Sequence, residues 1–271
     1  MSSSMVNLQP GEYQGTVSDR ISANGLLIGL TDYVRDQSVS FMHTHQNAHL
    51  SLGLVGQMVV RRKSHSGLNA NIEQFSFVHA GEEHQTNLVS NVGKNINLEL
   101  EQPFFVRYAL TEANFSELTQ TPGATLLMLK LVKELHFSDR ALTDNIHDLI
   151  LSVLQPQLNA IRKSPPKWVP LVKQLLSDNW DKELSLDQIA LAADIHPVTV
   201  SKYFMRYFGC NLGEYRRRLK VERALQLMNS SQKSLTEIAY ACAFFDQSHF
   251  IRAFREATGY PPKHFLLRMA R

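Results

Sequence analysis

At 271 residues, with 44% hydrophobic and 20% charged positions, the chain is long enough for two domains with separate cores. No run of about 18 apolar residues offers a membrane span, and the opening MSSSMVNLQPGEYQG lacks the charged and apolar regions of a secretory signal, so a cytoplasmic location is expected. The net charge of +3 is uneven: from Lys167 onward 16 Lys and Arg face 10 Asp and Glu, so only the C-terminal part has a surplus suited to phosphate.

Residues 16–108 read as strands. SVSFMH, LSLGLVG, QMVVRRK, FSFVH and INLELE carry period-two alternation or β-branched and aromatic residues, punctuated by Gly and Asn. An antiparallel sandwich or barrel follows. From Gly123 to Ile161 the period changes: Leu126, Leu129 and Val132, then Leu142, Ile146, Leu149 and Val153, are spaced as amphipathic helices require. Two helices joined near 137–140 fit, with Pro156 shortening or kinking the second. Their apolar stripes serve either packing on the sheet domain or a dimer interface. KSPPK, Lys163–Lys167, is a polar, proline-containing break and marks the domain boundary. Beyond it, Trp168, Leu171, Val172, Leu175 and Leu176 make a helix, and Leu212, Tyr215, Leu219, Ala224, Leu227 and Met228 make a long one, in a region of seven helices. Cys210 and Cys242, the two cysteines, read as packing residues rather than a disulfide.

This last region is written twice. Ser185, Leu186, Gln188, Ile189, Ala190, Ala193 and Ile195 recur 49 positions later as Ser234, Leu235, Glu237, Ile238, Ala239, Cys242 and Phe244. The offset then becomes 50, pairing Val200 with Phe250, Phe204 with Phe254, and Gly209 with Gly259, so one residue has entered the second turn. Each copy opens on a capping box, Ser185 with Gln188 and Ser234 with Glu237. Two helix-turn-helix units in one chain suit a reader of duplex DNA, because they can present recognition helices to successive major grooves. Those helices are expected from Pro197 to about Phe208, and from Gln247, capped by Asp246, to about Ala257.

Val200, Phe204 and Phe208 face the core, as do Phe250 and Phe254, which leaves a groove-facing side of Val198, Thr199, Ser201, Lys202 and Arg206 in the first copy. In the second copy it is Gln247, Ser248, His249, Ile251, Arg252 and Arg255. Arg and Lys reach guanine O6 and N7, Gln pairs with adenine, and Val or Ile meets a thymine methyl; a solvated helix face is the alternative for any one of them. Lys202 and Arg252 are the leading candidates because they occupy equivalent positions. Of Arg216, Arg217 and Arg218, at most two can meet a phosphate backbone, since adjacent cations wrap around a helix.

SLDQIALAADIHPVTVSKYFMRYFG, followed by SLTEIAYACAFFDQSHFIRAFREATGYPP, resembles the DNA-binding domain of the AraC/XylS family of bacterial transcription regulators. The resemblance covers residues 168–271. It implies seven helices with two helix-turn-helix motifs on a bipartite promoter site, and base or backbone contacts at Val198, Ser201, Lys202, Gln247, Ser248, His249, Ile251 and Arg252. Both turns depart from the family pattern, with Asp194 and Ala243 where Gly is common; Asp tolerates a left-handed backbone better than Ala does, so the second turn is the less certain.

HTHQNAHLSLGLVG and HAGEEH more weakly resemble the cupin-like sensory domain of many members. The similarity implies a cupin-like antiparallel β-barrel over 1–122, a helical pair over 123–163 that could dimerise, and the all-α DNA-binding domain over 168–271. His43, His45 and His49 share strand parity, and the cupin fold would bring His84 beside them. That leaves three readings open: a divalent metal ion, a pocket for an organic effector, or histidines that are merely inherited scaffold. The chain is therefore expected to be a sequence-specific transcription regulator, an activator among the options, and not an enzyme. Its expected partners are promoter DNA, an effector, a second copy of itself and RNA polymerase, at the bacterial nucleoid when bound. A metal-dependent cupin enzyme with a DNA-binding appendage is the alternative, weakened by the lack of an evident acid or base beyond the histidines.

Overall fold

A computed structural model describes residues 6–22, 24–35, 40–64, 67–121, 123–135, 146–154, 165–231 and 233–269. Two compact units emerge: one of residues 1–121, 128–147 and 265–271, the other of 122–127 and 148–264. Among the described residues no helix is long and apolar enough to cross a membrane.

The first unit holds two five-stranded sheets. One has the order β1 (Val6–Leu8), β4 (His43–His45), β9 (His84–Leu88), β6 (Met58–Ser64), β7 (Gly67–Ile72); the other runs β2 (Thr16–Ser22), β3 (Leu26–Val34), β10 (Val92–Leu100), β5 (Ala48–Val55), β8 (Phe75–Val78). The expected barrel is thus two separate sheets, not one closed ladder, and β1 pairs with β4 in parallel where an all-antiparallel arrangement was expected. The strand expected over SVSFMH begins only at His43. A larger correction concerns the end of the expected strand region, where Gln102–Tyr108 is a helix, α1. Pro103 occupies its first turn, where the missing amide costs nothing, and Phe104 is its buried anchor.

Sheet two shows why period two alone misleads. On β10 both faces are buried: Ile96, Leu98 and Leu100 on one side, Asn95, Asn97 and Glu99 on the other. Buried amides need partners, and Asn97 Nδ2 donates to Thr31 Oγ1 at 3.1 Å while Asn95 Nδ2 donates to Ser51 Oγ at 3.2 Å.

After α2 (Glu112–Ser116) and a short 3-10 turn comes α3 (Ala124–Leu135), in which Leu126, Leu127, Met128, Leu129, Leu131 and Val132 are all buried. A helix apolar on several sides belongs in an interior, so packing within the chain accounts for its stripe. Residues 146–154 form α4, burying Ile146, Ile150 and Leu154 where Ile146, Leu149 and Val153 were expected. The expected joint at 137–140, Leu142 and Pro156 lie outside the described residues.

Seven helices follow: α5 (Trp168–Asp178), α6 (Leu186–Ala192), α7 (Pro197–Phe208), α8 (Leu212–Ser230), α9 (Leu235–Ala241), α10 (Gln247–Thr258) and α11 (Pro262–Met269). On α5 the buried stripe is Trp168, Val172 and Leu176, four apart, which turns Leu171 outward to 51% exposure against expectation. That stripe joins Ile189, Ala190, Ala193, Val200, Phe204, Cys210 and Tyr215 in one core. Further along α8, which touches both α9 and α10, Val221, Ala224, Leu225 and Met228 are buried. Cys210 and Cys242 are free, buried thiols, each pushed up to about 11 first of all by burial, which makes them inert packing residues.

The duplication repeats in hydrogen bonds. Ser185 N donates to Gln188 Oε1 at 2.8 Å and Ser234 N to Glu237 Oε2 at 2.8 Å, while Gln188 N and Glu237 N each donate back to the serine Oγ at 3.2 Å. At the far end of both helices the chain turns left-handed, at Asp194 (φ 52°) and Ala243 (φ 55°). Ile195 N then donates to Ala190 O, and Phe244 N to Ala239 O, both at 3.0 Å. The second turn therefore keeps the geometry of the first despite its alanine. A left-handed L-residue with a Cβ costs about 1–2 kcal/mol, so Ala243→Gly is expected to stabilise the helical region by about 1 kcal/mol in denaturant titration, and Asp194→Gly by less. A loss of stability on Ala243→Gly would contradict this account of the turn.

Candidate nucleic-acid interface and imidazole cluster

The two helices that follow these turns are seated alike. Pro197 opens α7 behind His196, whose Nδ1 accepts from Val198 N at 3.2 Å; Asp246 caps α10, its Oδ1 accepting from His249 N at 2.6 Å. Both end on a left-handed glycine, Gly209 at φ 71° and Gly259 at φ 81°. Inward, Val200, Phe204, Phe250 and Phe254 are buried, and Phe208 stacks on Phe204 with ring centroids 4.1 Å apart. Outward, Val198, Ser201, Lys202 and Arg206 on α7, and Ser248, His249, Arg252 and Arg255 on α10, are exposed.

The remaining expected contacts are half-buried: Thr199, Gln247 and Ile251. Gln247 Oε1 already accepts from Thr236 Oγ1 at 3.1 Å, and His249 packs its ring edge-on to Phe244. The three adjacent arginines divide their work. Arg216 donates to the Leu184 carbonyl, and its partial burial lowers its pKa; Arg218 pairs with Glu214; Arg217 alone of the three is exposed.

Since the pair of half-buried Ile195 and buried Phe244 keeps the offset of 49 and the caps His196 and Asp246 have 50, the inserted residue is Phe245. Its ring is 87% exposed at the entrance to α10. The change of offset announced it in the sequence, although no role was attached to it there.

In the first unit, β4 pairs with β9 so that His43 lies opposite His84, and His45 falls two residues along on the same face. All three imidazoles are buried, and each offers a nitrogen lying within 4.8 Å of those of the other two. Ring centroids are 4.3 Å apart for His43 and His84, and 4.9 Å for His43 and His45. His49, on β5, is brought alongside rather than into the triangle: its ring lies 4.4 Å from His45 but 6.1 Å from His84. Burial holds His43 down to about 4 and His49 to about 3 and pushes His45 and His84 below the usual range, reinforced by neighbouring imidazoles at His43, His45 and His49 and by Arg62 at His84, so all four are neutral near pH 7.

Two residues beside this cluster went unnoticed in the sequence. Tyr13 packs its ring on His45 and His49 and donates from its hydroxyl to Glu99 at 2.5 Å. Glu99, opposite His49 in the β5–β10 register, also accepts from Gly11 N and Asn47 Nδ2. The polar alternation of Asn95, Asn97 and Glu99 in β10 was the available signal. Glu82 and Glu83, adjacent on the turn before β9, bind Arg62 and Lys63 respectively.

Comparison with known proteins matches residues 172–268 to a family model described as a helix-turn-helix domain. The chain is 25% identical over 132 residues to the HTH-type transcriptional regulator GbdR of Pseudomonas aeruginosa, an alignment covering 49% of this chain and 34% of that protein. It is 25% identical over 244 residues to the probable transcriptional regulator LumQ of Photobacterium leiognathi, covering 85% of this chain and 93% of LumQ. The chain thus spans about a third of the length of GbdR but nearly all of LumQ. Among solved structures, a transcriptional regulator from Chromobacterium violaceum described by its AraC-type DNA-binding domain is 26% identical, covering 38% of this chain and 93% of that one, with a TM-score of 0.36.

Proposed function

From a chain that carries an AraC-type helix-turn-helix domain over residues 172–268, we infer a sequence-specific DNA-binding transcription regulator whose cupin-like N-terminal domain, residues 1–122, receives an effector. The helical pair 123–163 connects it to the DNA-binding domain, 168–271. The observation that carries the reading is the repeated seating of α7 and α10: the same capping boxes, left-handed turns and terminal glycines hold two helices whose outward faces carry cations. In this reading the two pairs are two helix-turn-helix motifs. Helix α8, 19 residues and so about 28 Å long, sets them apart on the scale of one turn of duplex, about 34 Å.

Val198, Ser201, Lys202 and Arg206 then read one half-site, with Ser248, His249 and Arg252 reading the other. Thr199, Gln247 and Ile251 flank them at the groove edge, and Phe245 offers an apolar face to a sugar or thymine methyl. The partner is double-stranded promoter DNA, with a homodimer as the assembly, RNA polymerase as the protein contacted, and the cytoplasm as the location. The enzyme alternative draws on the same imidazoles, but GbdR and LumQ are both named as transcriptional regulators, which favours regulation.

Selection of bound fragments from a random duplex library by the purified chain tests this. A bipartite site with unlike halves, centred about 10–10.5 base pairs apart, is the expected outcome. Recovery of no enriched sequence would overturn it.

A further inference from the structure

We propose that Lys220, on α8, is a positioning residue for α10: it pins the turn ahead of that helix and so sets how the second copy meets DNA. This rests on the reading of α10 as a recognition helix. Ala243, the left-handed residue of that turn, carries a Cβ at φ 55°, a backbone that L-residues other than Asn and Asp rarely adopt. Asp194, at the same place in the first copy with φ 52°, is of the tolerant kind. The alanine turn therefore needs support from outside itself.

Lys220 supplies it. Its Nζ donates to the Ala243 carbonyl at 2.8 Å and lies 5.9 Å from the centroid of the Phe244 ring. A hydrogen bond from a charged donor is among the stronger ones, and a cation over an aromatic face adds to it. Phe244 is buried, and two residues later Asp246 caps α10 by accepting from His249 N. Holding the Ala243 carbonyl thus fixes where that cap begins. Lys220 is half-buried, so its stem packs on the helices while its head reaches the turn.

The helix that carries Lys220 grips the first copy as well. Arg216, four residues earlier and so on the same face of α8, donates to the carbonyl of Leu184, just ahead of the Ser185 cap of α6. One face of α8 therefore holds one backbone carbonyl in each copy, at the entry to α6 and at the turn between α9 and α10. A phosphate contact is the competing role for a lysine in a DNA-binding region. Here the amine is already committed to a carbonyl of its own chain.

The test compares the full-length parent with Lys220→Met, which keeps the stem and removes the donor, and with Lys220→Met combined with Ala243→Gly. Affinity is measured on the selected duplex and on duplexes with one base pair replaced in either half. The half read by α10 is the one whose sequence matters less to Arg252→Ala. In the parent each replacement should lower affinity about 5- to 150-fold. Lys220→Met should shrink that penalty at least about threefold in the α10 half and leave it unchanged in the other. Adding Ala243→Gly should restore it, because glycine adopts the left-handed turn unaided. The salt dependence should stay parental, since no phosphate contact is lost. Without DNA, amide exchange over residues 244–249 should quicken in Lys220→Met while that over 195–199 keeps the parental rate, and the helical signal establishes that each variant is folded.

Unchanged selectivity in Lys220→Met, an equal fall in both halves, or exchange that is parental throughout overturns the proposal. A shallower salt slope does so too, because it places Lys220 on a phosphate. A parent chain that selects no site fails the DNA-reading proposal itself, whereas a parent that selects one beside a variant of unchanged selectivity fails this one alone.

Discussion

Phe250→Ala is expected to destabilise the helical region by about 3–5 kcal/mol, the largest single effect foreseen for this chain. Phe250 is wholly buried, with the Phe244 ring 5.3 Å and the Phe254 ring 5.6 Å away, so truncation removes most of an aromatic side chain from a site with little room to collapse. Both tryptophans of the chain, Trp168 and Trp180, lie in this region. Their emission during denaturant unfolding therefore follows the helical part without interference from the sheets. Val200 holds the equivalent place in the first copy, also wholly buried, and Val200→Ala should cost less because fewer carbons are lost. Midpoints unchanged by Phe250→Ala would show that α10 is not anchored as described.

How legible the chain was depends on the range of the interaction. The capping boxes and the four-residue spacing of Val200, Phe204 and Phe208 are set by neighbours within a few positions, and each copy corroborates the other; both were readable, whereas the left-handed turn at Ala243 was not, since nothing in an alanine favours that backbone. Leu171 was misplaced because an apolar residue on the flank of a helical stripe has the same spacing as one at its centre. The polar alternation of β10 marks Glu99 but not its neighbours: Tyr13 and Glu99 could not be placed beside the imidazoles from spacing, since contacts across dozens of residues bring them there. Sheet closure was equally out of reach: the pattern that marks a strand does not say which strand it pairs with.

The second large effect concerns DNA. Under the proposed function, Lys202→Ala and Arg252→Ala should each weaken binding to a selected site by about 1–3 kcal/mol, and because the two sit on different helices their losses should nearly add. Both side chains are exposed, two residues beyond the buried Val200 and Phe250, so neither substitution should disturb the fold. Gel shift on the selected site and on scrambled duplex distinguishes their roles. A loss confined to the selected site marks a base contact, whereas an equal loss on both, with a shallower salt dependence, marks a phosphate contact. Affinity and specificity untouched in both variants would remove these helix faces from the interface.

The position of Phe245 gives the repeat a property of its own. From cap to terminal glycine the two helices are built to one length, each with 12 helical residues, and the extra residue lies ahead of that stretch. Each helix with its two ends is therefore a cassette of standard size, and the one-residue mismatch stays with the scaffold. One copy can accumulate new outward-facing residues while the other keeps its own, with no adjustment of length or seating to transmit the change. Such a chain can acquire a new binding preference one half at a time.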